Sequence, residues 1–184
     1  DEAHSFAQYF FQEFNDLSSQ DIKKSDNLSR QFFLNEGITF NVYGEEKQDE
    51  GRVFPMDIIP RIMGSKEWDF IEKGLSQRLT ALNLFLEDIY TEEKVLKDKV
   101  IPKDLIYESP HFLKEMKNMK IPLNIYVNLC GTDIVRTHED FFVLEDNLRV
   151  PSGSSYMLMC RQVMKQNFLR LFRKCGVRRI DDYA

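Results

Sequence analysis

The sequence predicts an α+β fold in which a small antiparallel sheet packs with helices, and two observations carry that reading. Trp68, Ile71, Leu75, Leu79, Leu82, Leu86 and Ile89 recur at steps of three and four, the period of a helix with one buried face. Ile38-Thr-Phe-Asn-Val-Tyr43, residues 124–136 and residues 141–147 are instead rich in β-branched and aromatic side chains. The polar turn Thr137-His138-Glu139-Asp140 joins the last two as a hairpin.

The elements follow in order. Phe6, Phe10 and Phe14 stand four apart with Tyr9 and Phe11 beside them, which predicts an amphipathic helix over 4–15 that breaks at Ser18-Ser19. A second helix over 26–35 turns Leu28 and Phe32 inward. It stops near Asn35 and Gly37, residues that tolerate left-handed backbone. Ile38–Tyr43 alternates as a strand, and the charged run Gly44–Gly51 is a loop. The long helix takes Ser65 as N-cap and Glu67 into its first turn, and its leucine and aromatic stripe is core packing. Gly74 within it costs about 1 kcal/mol relative to alanine, so a close helix contact is expected there. Residues 91–122 break into short helical pieces at Pro102, Pro110 and Pro122, and Tyr156–Phe172 returns to helical spacing.

Length and composition bound the rest. A chain of 184 residues, 42% hydrophobic, builds one core of ordinary size. One domain is expected: a helical lead over 1–36, a strand and long helix over 37–123, and a hairpin, Ser/Gly loop and basic helix over 124–184. With 30% charged residues, 15 Phe and 7 Tyr, the chain falls outside the disordered class. No apolar run approaches the roughly 18 residues that a membrane helix needs, and no secretory signal is visible, so the default location is the cytoplasm. Asp1 is not a methionine, which suggests a trimmed or processed amino terminus. Three cysteines, Cys130, Cys160 and Cys175, form no C-x-x-C, and His4, His111 and His138 have no metal-binding spacing.

Charge is unevenly spread. Residues 161–179 carry seven basic side chains and no acid within a chain of net charge −5, which leaves −12 for everything else. That pattern points to a local anion site or a solvated helix face, not to a nucleic-acid footprint.

The hairpin carries the chemistry. A period of two places Glu145 and Asn147 on one face of the second strand, with Val143 and Phe141 behind them. An anionic and a neutral oxygen ligand side by side suit a hard cation such as Mg²⁺, which completes its shell with water and phosphate oxygens. Asp133 is a third candidate. A three-residue turn, 138–140, sets Thr137 opposite Phe141 and Asp133 opposite Glu145, and a four-residue loop separates them. Pairing of Asp133 with Leu144 removes Asp133 from the face unless a bulge intervenes. The chain then reads Leu148-Arg-Val-Pro-Ser-Gly-Ser-Ser155 before the last helix. Strand, Ser/Gly loop and helix start form an anion-cradling order, with Arg149 adding a fork of donors.

These residues carry a family resemblance. Leu144-Glu-Asp-Asn-Leu-Arg-Val-Pro-Ser-Gly153 is similar to the signature of the circularly permuted ATP-grasp proteins. Further blocks agree with it in order: Gly37–Tyr43, Asp57-Ile-Ile-Pro-Arg61, Glu67-Trp68, Gly74-Leu-Ser-Gln-Arg78, Ala81-Leu-Asn83, Asp88-Ile-Tyr90, Val100-Ile-Pro102, Ser109-Pro-His-Phe112 and Gly131–Arg136. The match covers nearly the whole chain. It implies part of a circularly permuted ATP-grasp fold. The implied activity is an ATP- and Mg²⁺-dependent carboxylate–amine ligase, in which a carboxylate is phosphorylated and an amine displaces phosphate from the acyl phosphate. Its substrates are a small-molecule or peptide carboxylate and an amine.

The resemblance also assigns roles. Asp133, Glu145 and Asn147 hold magnesium, Arg149 lies near the transferred phosphoryl group, and Ser152, Gly153, Ser154 and Ser155 lie near the substrate carboxylate. Arg136 touches phosphate or pairs with Glu139. Asp57, Arg61, Gln77 and Arg78 read as salt bridges and caps that fix the helix beginning at Ser65. In the permuted order, the lysines and glycine-rich loop that grip ATP belong to a later part, and no phosphate-loop lysine motif occurs in these residues. An incomplete nucleotide site is expected, inactive without the remaining half of the fold, with a homodimer mate as another candidate partner. The competing expectation is a non-catalytic module that binds a peptide carboxylate or an acidic partner.

Overall fold

The computed structural model describes residues 2–40, 52–138, 140–151 and 153–180. They form two compact units. The first comprises residues 1–67 and 152–184, and the second residues 68–151.

In the first unit, helices α1 (Glu2–Asn15) and α2 (Ser19–Asn35) are separated at the expected break. Ser18 accepts from the Asp21 amide at 3.2 Å while the Asp21 carboxylate accepts from the Ser18 amide at 3.0 Å, a reciprocal cap. That cap starts α2 well before the expected residue 26. The inward face is correspondingly different: Ser29 and Phe33 are buried, and Leu28 is exposed. The helix ends as expected, with Gly37 at φ +66°. Strand β1 (Thr39–Phe40) pairs antiparallel with β2 (Arg52–Val53). The remainder of the expected strand, residues 41–43, and the loop 44–51 lie outside the described residues.

Helix α6 (Gly153–Asn167) and helix α7 (Leu169–Cys175) replace the single expected helix, with Phe168 at the break in a non-helical conformation. Phe168 is nonetheless buried in a cluster with Phe10, Met164 and Leu171, against which Phe14, Leu17, Met56, Ile62 and Phe172 pack. The break turns α7 so that this aromatic knot closes over α1.

The long helix α3 (Ser65–Tyr90), which belongs to the second unit from Trp68 onward, is that unit's spine. Ile71 and Ile89 are buried, as the periodicity requires, and Leu75, Leu79, Leu82 and Leu86 are half-buried, whereas Trp68 of the same expected stripe is exposed. Several family-block residues act as staples. The Asn83 side-chain Oδ1 accepts from the amides of Tyr126 and Val127 at 2.8 and 3.0 Å. The Asp88 carboxylate accepts from the amides of Lys94 and Val95 at 3.0 and 2.9 Å, which starts the short helix α4 (Lys94–Lys97). Tyr90 stacks on Phe112 at 5.3 Å and on Tyr126 at 5.8 Å between centroids. Helix α5 (Lys103–Tyr107) and two single 3₁₀ turns fill the stretch to residue 124.

Gly74 departs from expectation. A Cβ built there meets nothing within 4 Å, so no close packing explains the glycine among the described residues. Gly74→Ala is therefore expected to raise stability by about 0.5–1 kcal/mol through helix propensity and a less flexible unfolded chain. Urea unfolding of the two forms checks it.

Strands β3 (Gly131–Thr137) and β4 (Asp140–Asn147) form the second sheet. The strand expected from residue 124 begins at residue 131, because Pro122–Asn124 makes a 3₁₀ turn in which Leu123 and Asn124 take positive φ. The two strand pairs form separate two-stranded sheets. Among the described residues no helix is long and apolar enough to cross a membrane.

Candidate functional site

The hairpin β3–β4 brings together three of the expected site residues by a route that the residue spacing does not reveal. At the tip, Thr137 faces Asp140, so two residues lie between the strands where three were expected. His138 takes φ +42° there, and Glu139 lies outside the described residues. The tip register continues through Arg136 with Phe141, Val135 with Phe142 and Ile134 with Val143. Carried on unchanged, it would set Asp133 against Leu144. A register shift after Ile134 leaves Leu144 as the extra residue of a β-bulge, and Asp133 falls directly opposite Glu145.

The bulge also exchanges the faces. Ile134 and Thr132 on β3, with Phe141, Val143 and Asp146 on β4, are half-buried. Asp133, Val135, Phe142, Leu144, Glu145 and Asn147 are exposed. Val143 and Phe141 thus lie on the face opposite Glu145 and Asn147, where an unbroken period of two had placed them together. Asn147 donates through Nδ2 to the Glu145 carboxylate and to the Gly131 carbonyl, both at 3.2 Å. Its amide oxygen remains as an acceptor on the exposed face.

Two carboxylates directly opposite on one face of a sheet repel each other. Such a pair is stable when a cation lies between them, and an all-oxygen set of two carboxylates and an amide suits a hard divalent ion. The donor set therefore fits Mg²⁺ chemically. Among the described residues no three His, Cys, Asp or Glu side chains converge as a metal-binding group; the third donor here is an amide.

Behind the hairpin lies a residue that the sequence reading passed over. Asp146, between Glu145 and Asn147, turns inward with its side chain 7% exposed. Its Oδ2 accepts from Arg78 Nε at 2.6 Å, and its Oδ1 accepts from the Thr132 hydroxyl at 2.9 Å. The signal for it was present, since period two puts the middle residue of Glu-Asp-Asn on the other face. Arg78 on α3 thus forms a salt bridge to β4.

Gly131, opposite Asn147, carries the chain past Pro151: a Cβ on residue 131 would stand 2.8 Å from the Pro151 Cβ. The tail of the signature segment is thereby held against the base of the hairpin. Arg149 in that tail is exposed. Arg136 lies at the far end of β3, its guanidinium 5.6 Å from the centroid of the Phe141 ring.

In the first unit, Gly153, Ser154 and Ser155 are the opening residues of α6 rather than a loop before it, and Ser152 lies outside the described residues. Tyr156, one turn in, stacks on Phe54 at 4.4 Å and donates to the Thr39 carbonyl at 3.3 Å. These contacts fix the start of α6 whose amides point out of the helix. Asp57 accepts from the Ile59 amide at 2.9 Å, a local turn, and Arg61 is exposed in the segment that leads to α3. Part of the basic stretch contacts the protein itself, although most of its side chains are exposed. Arg161 donates to the Arg178 carbonyl and lies over Phe172, Lys174 lies 4.0 Å from the Tyr9 ring centroid, and Arg178 donates to Ser65 at 2.6 Å.

Comparisons with known proteins bear on this arrangement. The family model for circularly permuted ATP-grasp type 2 matches residues 60–184. An uncharacterized protein of Synechocystis is 42% identical over 168 residues, which is 91% of this chain and 35% of that protein. An uncharacterized Mycobacterium tuberculosis protein is 41% identical over 162 residues, 88% of this chain and 28% of its own length. A Frankia casuarinae protein named "Putative glutamate--cysteine ligase 2-2" is 36% identical over 146 residues, 79% of this chain and 16% of its own length. The chain spans about a third, or less, of the length of these curated relatives. With a family model matching more than half of its residues and the hairpin segment inside that match, the chain belongs to the circularly permuted ATP-grasp family, type 2.

Proposed function

We propose that this chain is part of an ATP- and Mg²⁺-dependent ligase that joins a carboxylate to an amine through an acyl phosphate, with Asp133, Glu145 and Asn147 as the residues that hold the metal. The observation that carries the reading is the placement of Asp133 directly opposite Glu145, on the exposed face, with Asn147 bonded beside them. Bound magnesium would supply charge neutralisation and positioning of the nucleotide phosphates.

The chain's own residues do the rest. Asp133 and Glu145 present two anionic oxygens from neighbouring strands, so their separation is set by the ladder and not by flexible loops. Asn147 contributes a neutral oxygen and, through its Nδ2, fixes the rotamer of Glu145. Arg149, two residues on, offers a forked, permanently charged donor to the phosphoryl group in transfer. The opening amides and hydroxyls of α6 at Gly153, Ser154 and Ser155, with Ser152, bind the substrate carboxylate as a helix start binds anions. The ligase name of the Frankia relative agrees with a reaction that joins a carboxylate to an amine. Turnover belongs to the longer protein, since the relatives extend far beyond the matched part.

Calorimetric titration of the intact protein with a non-hydrolysable ATP analogue tests the proposal. Binding is expected in the presence of Mg²⁺, and is expected to weaken about tenfold or more in its absence or in Glu145→Ala. Tight binding of a peptide carboxylate that ignores both Mg²⁺ and Glu145→Ala would instead identify a non-catalytic binding module.

A further inference from the structure

The bulged register of the hairpin and the unbulged one obtained by continuing the tip pairing differ in which acidic side chain reaches the exposed face. Continued without the bulge, the tip register sets Asp133 against Leu144 and Thr132 against Glu145. Because side chains alternate with a period of two, that slip by one carries Glu145 to the packed face and Asp146 to the exposed one. Bulges are sites where a strand is re-aimed, and because a bulge locally disrupts the ladder, the bulged register needs support from what its side chains meet on the packed face. Something outside the ladder has to choose.

The choosing contact lies on α3. Arg78 reaches the inward Asp146 with Nε 2.6 Å from Oδ2, and the Thr132 hydroxyl occupies Oδ1 at 2.9 Å. Both carboxylate oxygens are engaged and the Asp146 side chain is 7% exposed, while Arg78 remains 47% exposed. A carboxylate this deep is tolerated because it is paired and hydrogen-bonded; without Arg78 its burial would oppose the bulged register. The Thr132 bond likewise exists only when Asp146 faces β3 at residue 132, which is the bulged pairing.

We infer that Arg78, through its ion pair with Asp146, is a positioning residue that selects the bulged register of the hairpin and thereby sets Asp133, Glu145 and Asn147 on one exposed face. The inference rests on the metal-holding role proposed above for those three residues. Arg78 itself touches neither substrate nor cation in this account. It acts from behind the sheet.

The test uses the intact protein, Mn²⁺ and a non-hydrolysable ATP analogue, with bound and free Mn²⁺ read by electron paramagnetic resonance. Asp146→Asn keeps the shape and an acceptor for Thr132 but removes the charge, and Arg78→Gln removes the partner. Each is expected to lower Mn²⁺ affinity about tenfold or more, as loss of an outer-shell support does, with the thermal melt still cooperative. Glu145→Gln serves as the control. If it lowers affinity while Asp146→Asn and Arg78→Gln both stay within about twofold of the parent, the positioning role is overturned and the metal-holding role stands. If Glu145→Gln leaves affinity unchanged, the metal-holding role fails and this inference fails with it. A loss of affinity in Asp146→Asn and Arg78→Gln that comes with loss of the cooperative melt also overturns it, because the pair would then be supporting the fold as a whole.

Discussion

Under the proposed ligase function, Glu145→Gln is expected to lower turnover of the intact protein on the order of 100-fold or more while leaving the fold in place. The amide has the same size and can still accept from Asn147 Nδ2, so the hairpin loses no packing. What it loses is one of the two charges that face each other across the ladder at Asp133 and Glu145. That loss has opposite consequences for stability and activity. Without a cation, relief of the repulsion should raise stability by a few tenths of a kcal/mol, the usual size of a cross-strand charge effect. With a cation and nucleotide, the variant lacks one of the charges proposed to hold the metal. A melt in the presence of a chelator and an assay of nucleotide-dependent phosphate release check the two halves together. Parent-like turnover, or a drop in stability without metal, would show that Glu145 serves the fold and not the cation.

Phe33→Ala is expected to cost about 3–5 kcal/mol, the range for truncating a fully buried phenylalanine, and to lower the melting temperature on the order of 10 °C. Phe33 is 0% exposed, and its ring meets Phe54 edge to face at 5.9 Å between centroids. Phe54 in turn stacks on Tyr156, the residue that ties the first turn of α6 to the Thr39 carbonyl. A groove of about 290 Å³ between α2 and residues 53–57 already borders Phe33, so the vacated space would open into it. The neighbours are therefore free to shift rather than to collapse inward. Because the Phe33–Phe54–Tyr156 chain ends at the opening turn of α6, the proposed substrate-binding role of that turn predicts a Michaelis constant that rises more than turnover falls at a temperature where the variant is folded. Denaturant unfolding checks the first effect and steady-state kinetics the second. A cost below about 1 kcal/mol would mean that this aromatic chain does not hold the unit together.

Much of this molecule could be read from residue patterns, for reasons that separate local from non-local physics. The α3 stripe was legible because a helix reports its buried face at every third or fourth residue. The hairpin and its acidic residues were legible because strands alternate and the turn is polar. The start of α2 was misplaced because the Ser18–Asp21 cap is two hydrogen bonds in an otherwise charged stretch, and periodicity carries no trace of it. The break at Phe168 was missed since nothing about a phenylalanine forbids helix; its ring is buried with Phe10 and Met164, and that tertiary contact decides the backbone.

The site divides along the same line. Asp133 opposite Glu145 was expected, but through a three-residue turn. The observed route is a two-residue connection and a bulge at Leu144, and the errors in length and regularity cancel. A bulge depends on what packs behind the strand, here Arg78 against Asp146, sixty-eight positions apart in sequence. No local pattern announces such a pair. Ser154 and Ser155 were placed in a loop because their composition is that of a loop, yet they open a helix.

The most direct measurement is a crystal structure of the intact protein with Mn²⁺ and a non-hydrolysable ATP analogue. An anomalous peak is expected about 2.0–2.2 Å from side-chain oxygens of Asp133, Glu145 and Asn147, with Asp146 still turned to Arg78. A peak coordinated by Asp146 in place of Glu145, or a cation held with none of these three residues, would contradict the proposed metal site.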